Sequence, residues 1–333
     1  MESSGPKRTR VLVIGGWGRC GSTLLDMLLG EIRGFVSAGE VRELWLRGCV
    51  EDRPCGCGEP FSRCSFWSRV GEEAYGGWDR LDVDRILRAR YRWDRPWRFP
   101  GLLAETRKDA GRSDAAPAAG RPATAATTDD LTAYTDALAR LMSAIATVSG
   151  ACVVVDSSKI PTHTLLLRRS ESLDVRMVHL VRDSRGVAFS NQKRVLKSVT
   201  RGQPTLLPRY GAVDSAVRYD IYNAANGALA RPLGPAWQRL RYEDLVTEPE
   251  SRLREVARLA QEDVEHDLGF LQGRSVTLGA HHLVEGNPVR FARQLTLSVD
   301  DEWRDSLRAR DRRTMSVLTW PLLRRYAYPV GAA

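Results

Sequence analysis

The chain has 333 residues, 43% of them apolar, with 50 Lys and Arg against 41 Asp and Glu, for a net charge of +9. That length and apolar share suit one α/β domain with insertions, residues 1–333 as a single unit, and exclude a disordered or fibrous chain. The basic excess points to anionic ligands, but the cations are interleaved with acids and no nucleic-acid motif occurs, so nucleic acid is not an expected partner.

The first element is an apolar β-type run, Val11–Ile14. It meets a glycine-rich turn (Gly15, Gly16, Gly18, Gly21), after which a helix opens at Ser22 and Thr23 and runs to Ile32. Glycines admit close backbone approach, and the first helical amides with the helix dipole favour an anion, so this is a phosphate-binding loop. The spacing Gly16 to Gly21 fits the start of the triphosphate loop GxxxxGK[ST], but Ser22 stands where its lysine belongs. Arg19 is the loop's one cation. A kinase-like triphosphate enzyme would need that lysine or an acidic magnesium partner, so a donor bound without metal is expected.

A second strand, Phe35–Ala38, leads to Glu40 and, one helical turn on, Glu43; either carboxylate could instead complement a helix dipole. Four of the six cysteines follow as Cys49, Cys55, Cys57 and Cys64. Cys-x-Cys with uneven flanks departs from the paired Cys-x-x-Cys of common zinc sites, so a four-thiolate zinc is the weaker reading and no metal is assigned. Trp78–Phe99 mixes aromatics with arginines in the manner of an acceptor wall, and Lys108–Asp130, poor in large apolar residues, reads as a mobile insertion. The helix Leu131–Val148 precedes a strand at Cys152–Val155, where Cys152 is taken as a small buried residue, and the strand leads to Asp156-Ser157-Ser158-Lys159. Asp156 and Ser158 can equally cap a helix.

A further strand, Val175–Val181, ends at Arg182, with a helix from Ser184 or Arg185 through Ser190. A guanidinium fork and a hydroxyl are the groups that hold a phosphate. The strand Trp237–Arg241 runs into Tyr242-Glu243-Asp244-Leu245, and the helix Pro249–Leu259 follows. Strands alternating with helices imply a mostly parallel, doubly wound sheet with helices on both faces. His281 and His282 adjoin the turn-rich stretch ending at Arg290; adjacent residues point apart and no third ligand has metal-site spacing, so both histidines are read as structural. No stretch is apolar enough to span a bilayer and Val11–Ile14 is too short for a signal peptide, so a cytoplasmic location is expected.

Taken together, Arg19-Cys20-Gly21-Ser22-Thr23 and Arg182…Ser190 resemble the two donor-binding motifs of sulfotransferases that use 3′-phosphoadenosine-5′-phosphosulfate (PAPS), with Cys20 in place of the usual serine. The resemblance is to a bacterial branch akin to the carbohydrate and tyrosyl-protein enzymes. It implies PAPS as co-substrate, held at its 5′-phosphosulfate by Gly18–Thr23. Arg182 and Ser190 would hold the 3′-phosphate, Tyr242 would lie near the adenine and Arg290 would sit in a late loop closing over the donor, although its segment departs from the Arg-Lys-Gly form. It further implies Glu40 as the general base, with Glu43 as alternative, and Arg19 and Lys159 as the cations at the transferring group. The acceptor is expected to be a hydroxyl of a small molecule, carbohydrate or lipid-linked glycan. A non-catalytic adenosine-bisphosphate-binding protein on the same scaffold is the alternative that Glu40 and Lys159 argue against.

Overall fold

Val11 to Ile14 are wholly buried at the centre of the sheet, as four successive apolar side chains in a parallel strand should be. In the computed structural model, which describes residues 8–110, 125–200, 203–260 and 268–330, they belong to β1 (Thr9–Gly15). The helix α1 (Ser22–Gly30) returns to β2 (Phe35–Ser37), and β3 (Val153–Lys159) and β4 (Leu173–Val181) flank β1 on either side. With β5 (Trp237–Arg241) the order is β2-β3-β1-β4-β5, every pairing parallel.

Alternation along the strands separates the two faces. Val11, Val13, Val154, Val175 and Met177 point into a core shared with α2 (Ser65–Tyr75), α3 (Val83–Trp93) and α4 (Ala125–Ser149). Leu12, Ile14, Val155, Val178 and Leu180 point to the other, under α1 and the helix Pro249–Leu259. The connection from β1 runs past β3 to β2, whereas the one from β3 crosses β1 to reach β4, so a crevice opens beyond the carboxyl end of β1 between β3 and β4, where open α/β sheets bind ligands.

The expected α/β class and all five strands are present. Cys152 differs from expectation: it is exposed and lies before β3, its amide donating to the Gly34 carbonyl at 2.7 Å. The core begins with Val153 because that is where pairing with β1 begins. Of the expected insertion, residues 111–124 lie outside the described residues; its flanks are the helices Phe99–Ala110 and α4, the latter longer than Leu131–Val148. Among the described residues no helix is long and apolar enough to cross a membrane.

Candidate active site

The turn after β1 needs glycine at two places for steric reasons. At Gly16 (φ 146°) a Cβ would stand 2.5 Å from the Leu180 carbonyl oxygen, and at Gly21 (φ 94°) one would stand 2.5 Å from the Tyr242 ring. Gly21 therefore lets the tyrosine close against the loop. No side chain caps α1, so the amides of its first turn keep their capacity for a ligand. Arg19 adopts a left-handed backbone (φ 70°), uncommon for a side chain of its size, and its carbonyl accepts from Arg182 Nη1 at 3.1 Å. Its Nη2 is buried and has no hydrogen-bond partner among the described residues, and burial together with the neighbouring Arg182 guanidinium pushes its pKa down.

Arg182 extends from the end of β4. Its Nη2 lies 2.7 Å from Asp300 Oδ2, and the guanidinium lies over the Tyr242 ring, 4.7 Å from the centroid. Asp183 does not pair with it; this carboxylate caps the helix α5 (Ser184–Gln192) and binds Arg185 at 2.6 Å. Ser190, on α5, lines the same cleft of about 440 Å³ as Arg19, Arg182, Tyr242, Glu40 and Lys159.

Lys159 ends β3, also with a left-handed backbone (φ 67°). Its Nζ donates to Glu40 Oε1 at 2.6 Å and to the Ser157 carbonyl at 2.8 Å. Burial alone would lower the lysine pKa, but Glu40 reverses the sign and raises it, so the ammonium is retained. Asn226 fixes this corner: its Nδ2 donates to the carbonyls of Gly16 at 3.1 Å and Lys159 at 3.2 Å, tying the loop to the end of β3. Glu43 points elsewhere, into Arg42 at 2.6 Å and Arg90 at 2.9 Å. Although burial would raise its pKa, Arg90, Arg42 and Arg47 outweigh that and hold it below the ordinary carboxylate value.

Residues 12–266 match the model of the sulfotransferase family. The chain belongs to that family. Among solved structures it is similar to the sulfotransferase domain of the Synechococcus PCC 7002 olefin synthase, at a TM-score of 0.52 and 19% identity over 99% of this chain and 98% of that one. Similarity to the sulfotransferase domain from the curacin biosynthetic pathway has a TM-score of 0.48 and 17% identity, covering 98% of this chain and 99% of that one. No curated protein shows a significant match in sequence.

The cleft of this sulfotransferase thus gathers Gly18, Arg19, Gly21, Ser22, Thr23, Glu40, Lys159, Arg182, Ser190 and Tyr242. Two expected donor-site residues do not line it. Cys20 is buried behind the loop, its sulfur toward Gly16. Arg290 is wholly buried and bonded to the carbonyls of Gly286 and Pro54, both at 3.1 Å, so it braces the late segment from behind. The cleft-facing part of that segment is Gly286, Asn287 and Val289, and the Asn287 amide donates to Thr23 Oγ1 at 3.1 Å. Nor does Trp78–Phe99 reach the cleft: Arg90 serves Glu43, and Trp78 packs on Phe61 and Tyr75. The aromatic rings that line the cleft are Trp17, Tyr210 and Tyr242, with Tyr222 behind Trp17 at 4.5 Å between centroids. Trp17, Tyr210, Asn226, Asn287 and Asp300 were not singled out from the sequence. Trp17 alone had a visible signal, since a bulky ring inside a glycine turn has nowhere to go but outward.

Proposed function

We propose that the protein transfers a sulfuryl group from PAPS to a hydroxyl of a small-molecule or carbohydrate acceptor, with Glu40 as general base. One observation carries the reading. The Glu40–Lys159 pair at 2.6 Å and the cations Arg19 and Arg182 open on a single cleft at the carboxyl ends of adjacent strands. Gly18–Thr23 and Arg19, whose buried Nη2 lacks a partner among the described residues, suit the 5′-phosphosulfate. Arg182 and Ser190 suit the 3′-phosphate once Asp300 yields its hold on the guanidinium, and the Tyr242 face suits the purine.

In the transfer the acceptor oxygen bonds to sulfur as the bond from sulfur to the 5′-phosphate oxygen breaks, and the acceptor proton passes to Glu40. Lys159 steadies the sulfuryl oxygens in flight, and Arg19 with the α1 amides receives the charge left on the phosphate. The lysine can bind the carboxylate before the donor arrives and the sulfuryl group afterwards, and its pairing with Glu40 raises its pKa against the cost of burial, so its own charge is retained.

Calorimetry with adenosine-3′,5′-bisphosphate tests the donor. Binding is expected without added magnesium and more tightly than ATP, and Arg182→Ala is expected to weaken the bisphosphate far more than adenosine-5′-phosphosulfate, which lacks the 3′-phosphate. Equal affinity for ATP would refute the donor assignment, and equal losses in the variant would move Arg182 to another role. A transfer assay with labelled PAPS over phenols, sugars and glycolipids then identifies the acceptor.

A further inference from the structure

Outside the cleft, the structure gathers Cys55, Cys57, Cys64 and His282, whose potential ligand atoms all lie within 4.8 Å of one another. Cys49, counted with the cysteines in the sequence reading, is not among them, and the fourth position is filled by a histidine more than two hundred residues away. Sequence spacing could not show this, because the ligand closing the site comes from another part of the fold.

The distances decide what the cluster is for. A tetrahedral zinc ion with sulfur ligands at about 2.3 Å and nitrogen at about 2.0 Å has sulfur–sulfur edges of about 3.8 Å and sulfur–nitrogen edges of about 3.5 Å. Here Cys55–Cys64 is 3.7 Å, Cys57–Cys64 is 3.8 Å, and His282 Nδ1 lies 3.6 Å from Cys55 and 3.3 Å from Cys64. A disulfide would need sulfurs at about 2.05 Å. Thiols are weak donors, so three of them and an imidazole gain little from one another without an ion between them.

The surroundings hold the ligands in place. The Cys55 amide donates to the Glu59 carbonyl and the Gly58 amide to the Cys55 carbonyl, both at 2.8 Å, which folds Cys55 and Cys57 into one tight turn. The His282 ring stacks on Phe66 at 4.6 Å between centroids, and its carbonyl accepts from Trp67 Nε1 at 3.0 Å. We propose that Cys55, Cys57, Cys64 and His282 bind one structural Zn²⁺. Three thiolates and an imidazole complete a tetrahedron, leave no open position for substrate, and favour zinc over harder cations.

The ion fastens the segment after β2 to the late segment. Gly56 N donates to the Leu283 carbonyl at 2.9 Å beside it, and four residues beyond His282 the chain enters the cleft with Gly286 and Asn287. None of the four ligands lines the cleft, so metal content can be read without reference to the transfer reaction.

Elemental analysis of the tag-free protein, dialysed after growth with zinc, is expected to give about one zinc per chain. Cys57→Ser and His282→Ala should weaken zinc at least about 100-fold against a chromophoric chelator. Cys49→Ser should retain it, and His282→Cys should restore it as a four-thiolate site, which separates loss of a ligand from loss of fold. Cobalt exchanged into the wild type should show thiolate charge-transfer bands. A metal-free protein that ignores added zinc, a disulfide within the trio, or zinc that survives both ligand substitutions would each overturn the proposal.

Discussion

Glu40 and Glu43 lie three residues apart, yet one faces the cleft beside Lys159 and the other is locked among Arg42, Arg47 and Arg90. Glu40→Gln keeps the shape and one hydrogen bond but cannot take a proton, so turnover should fall by roughly 10²-fold or more with little change in bisphosphate affinity. Glu43→Gln removes the charge that three guanidiniums share, and should cost about 1–3 kcal/mol of stability while turnover stays near normal. Steady-state rates and chemical denaturation of the two variants check this, and a dead Glu43 variant beside an active Glu40 variant would reverse the assignment. The sequence left both carboxylates open because both sit at the start of one helical turn. The discriminating group is Arg90, on α3, and its approach to Glu43 is set by tertiary packing.

At the scale of elements, α1 shows what a pattern can and cannot reveal. The helix itself was legible over residues 22–32, and its Leu25, Leu28 and Leu29 pack into the core. Asp26 beside them was not, although it is wholly buried and joins three elements: Ser37 of β2 donates to it at 2.5 Å and Ser157 of β3 at 2.6 Å. Burial raises its pKa to about 7 despite the two hydroxyl donors, which pull the other way. The unfolded value is near 4, so between these values the folded state binds more protons than the unfolded one. The contribution of Asp26 to stability is thus full below about pH 4, declines as the pH rises to about 7, and changes no further, a span of at most about 4 kcal/mol. Asp26→Asn should remove that decline, so the variant gains on the wild type as pH rises across this interval. Denaturation at several pH values measures the difference, and a wild-type-to-variant gap that is constant with pH would show that the carboxyl does not titrate there.

For the whole molecule, composition showed a net charge of +9 but not where that charge acts. Parallel strands and the two phosphate-loop patterns were legible because each is local: an apolar run, a glycine turn, a helix start. The convergence of Arg19, Lys159 and Arg182 is not local, since it follows from β3 and β4 flanking β1, a pairing that packing of both sheet faces decides. The same holds for Arg290, which a loop motif aimed at the donor and the fold buried behind the cleft. Those three cations stand beside the acids Glu40 and Asp300, so at close range their charges partly cancel. Attraction of a polyanionic donor from a distance must then come from the molecule's overall excess, which salt screens over about 10 Å at 0.1 M. Stopped-flow binding of adenosine-3′,5′-bisphosphate should therefore show an association rate that falls several-fold between about 0.05 and about 0.5 M salt, with a smaller change in dissociation, because in the proposed donor site the phosphates would meet partly buried guanidiniums. If salt acts mainly on dissociation, steering by the overall charge is refuted and the anion is held chiefly by exposed surface cations.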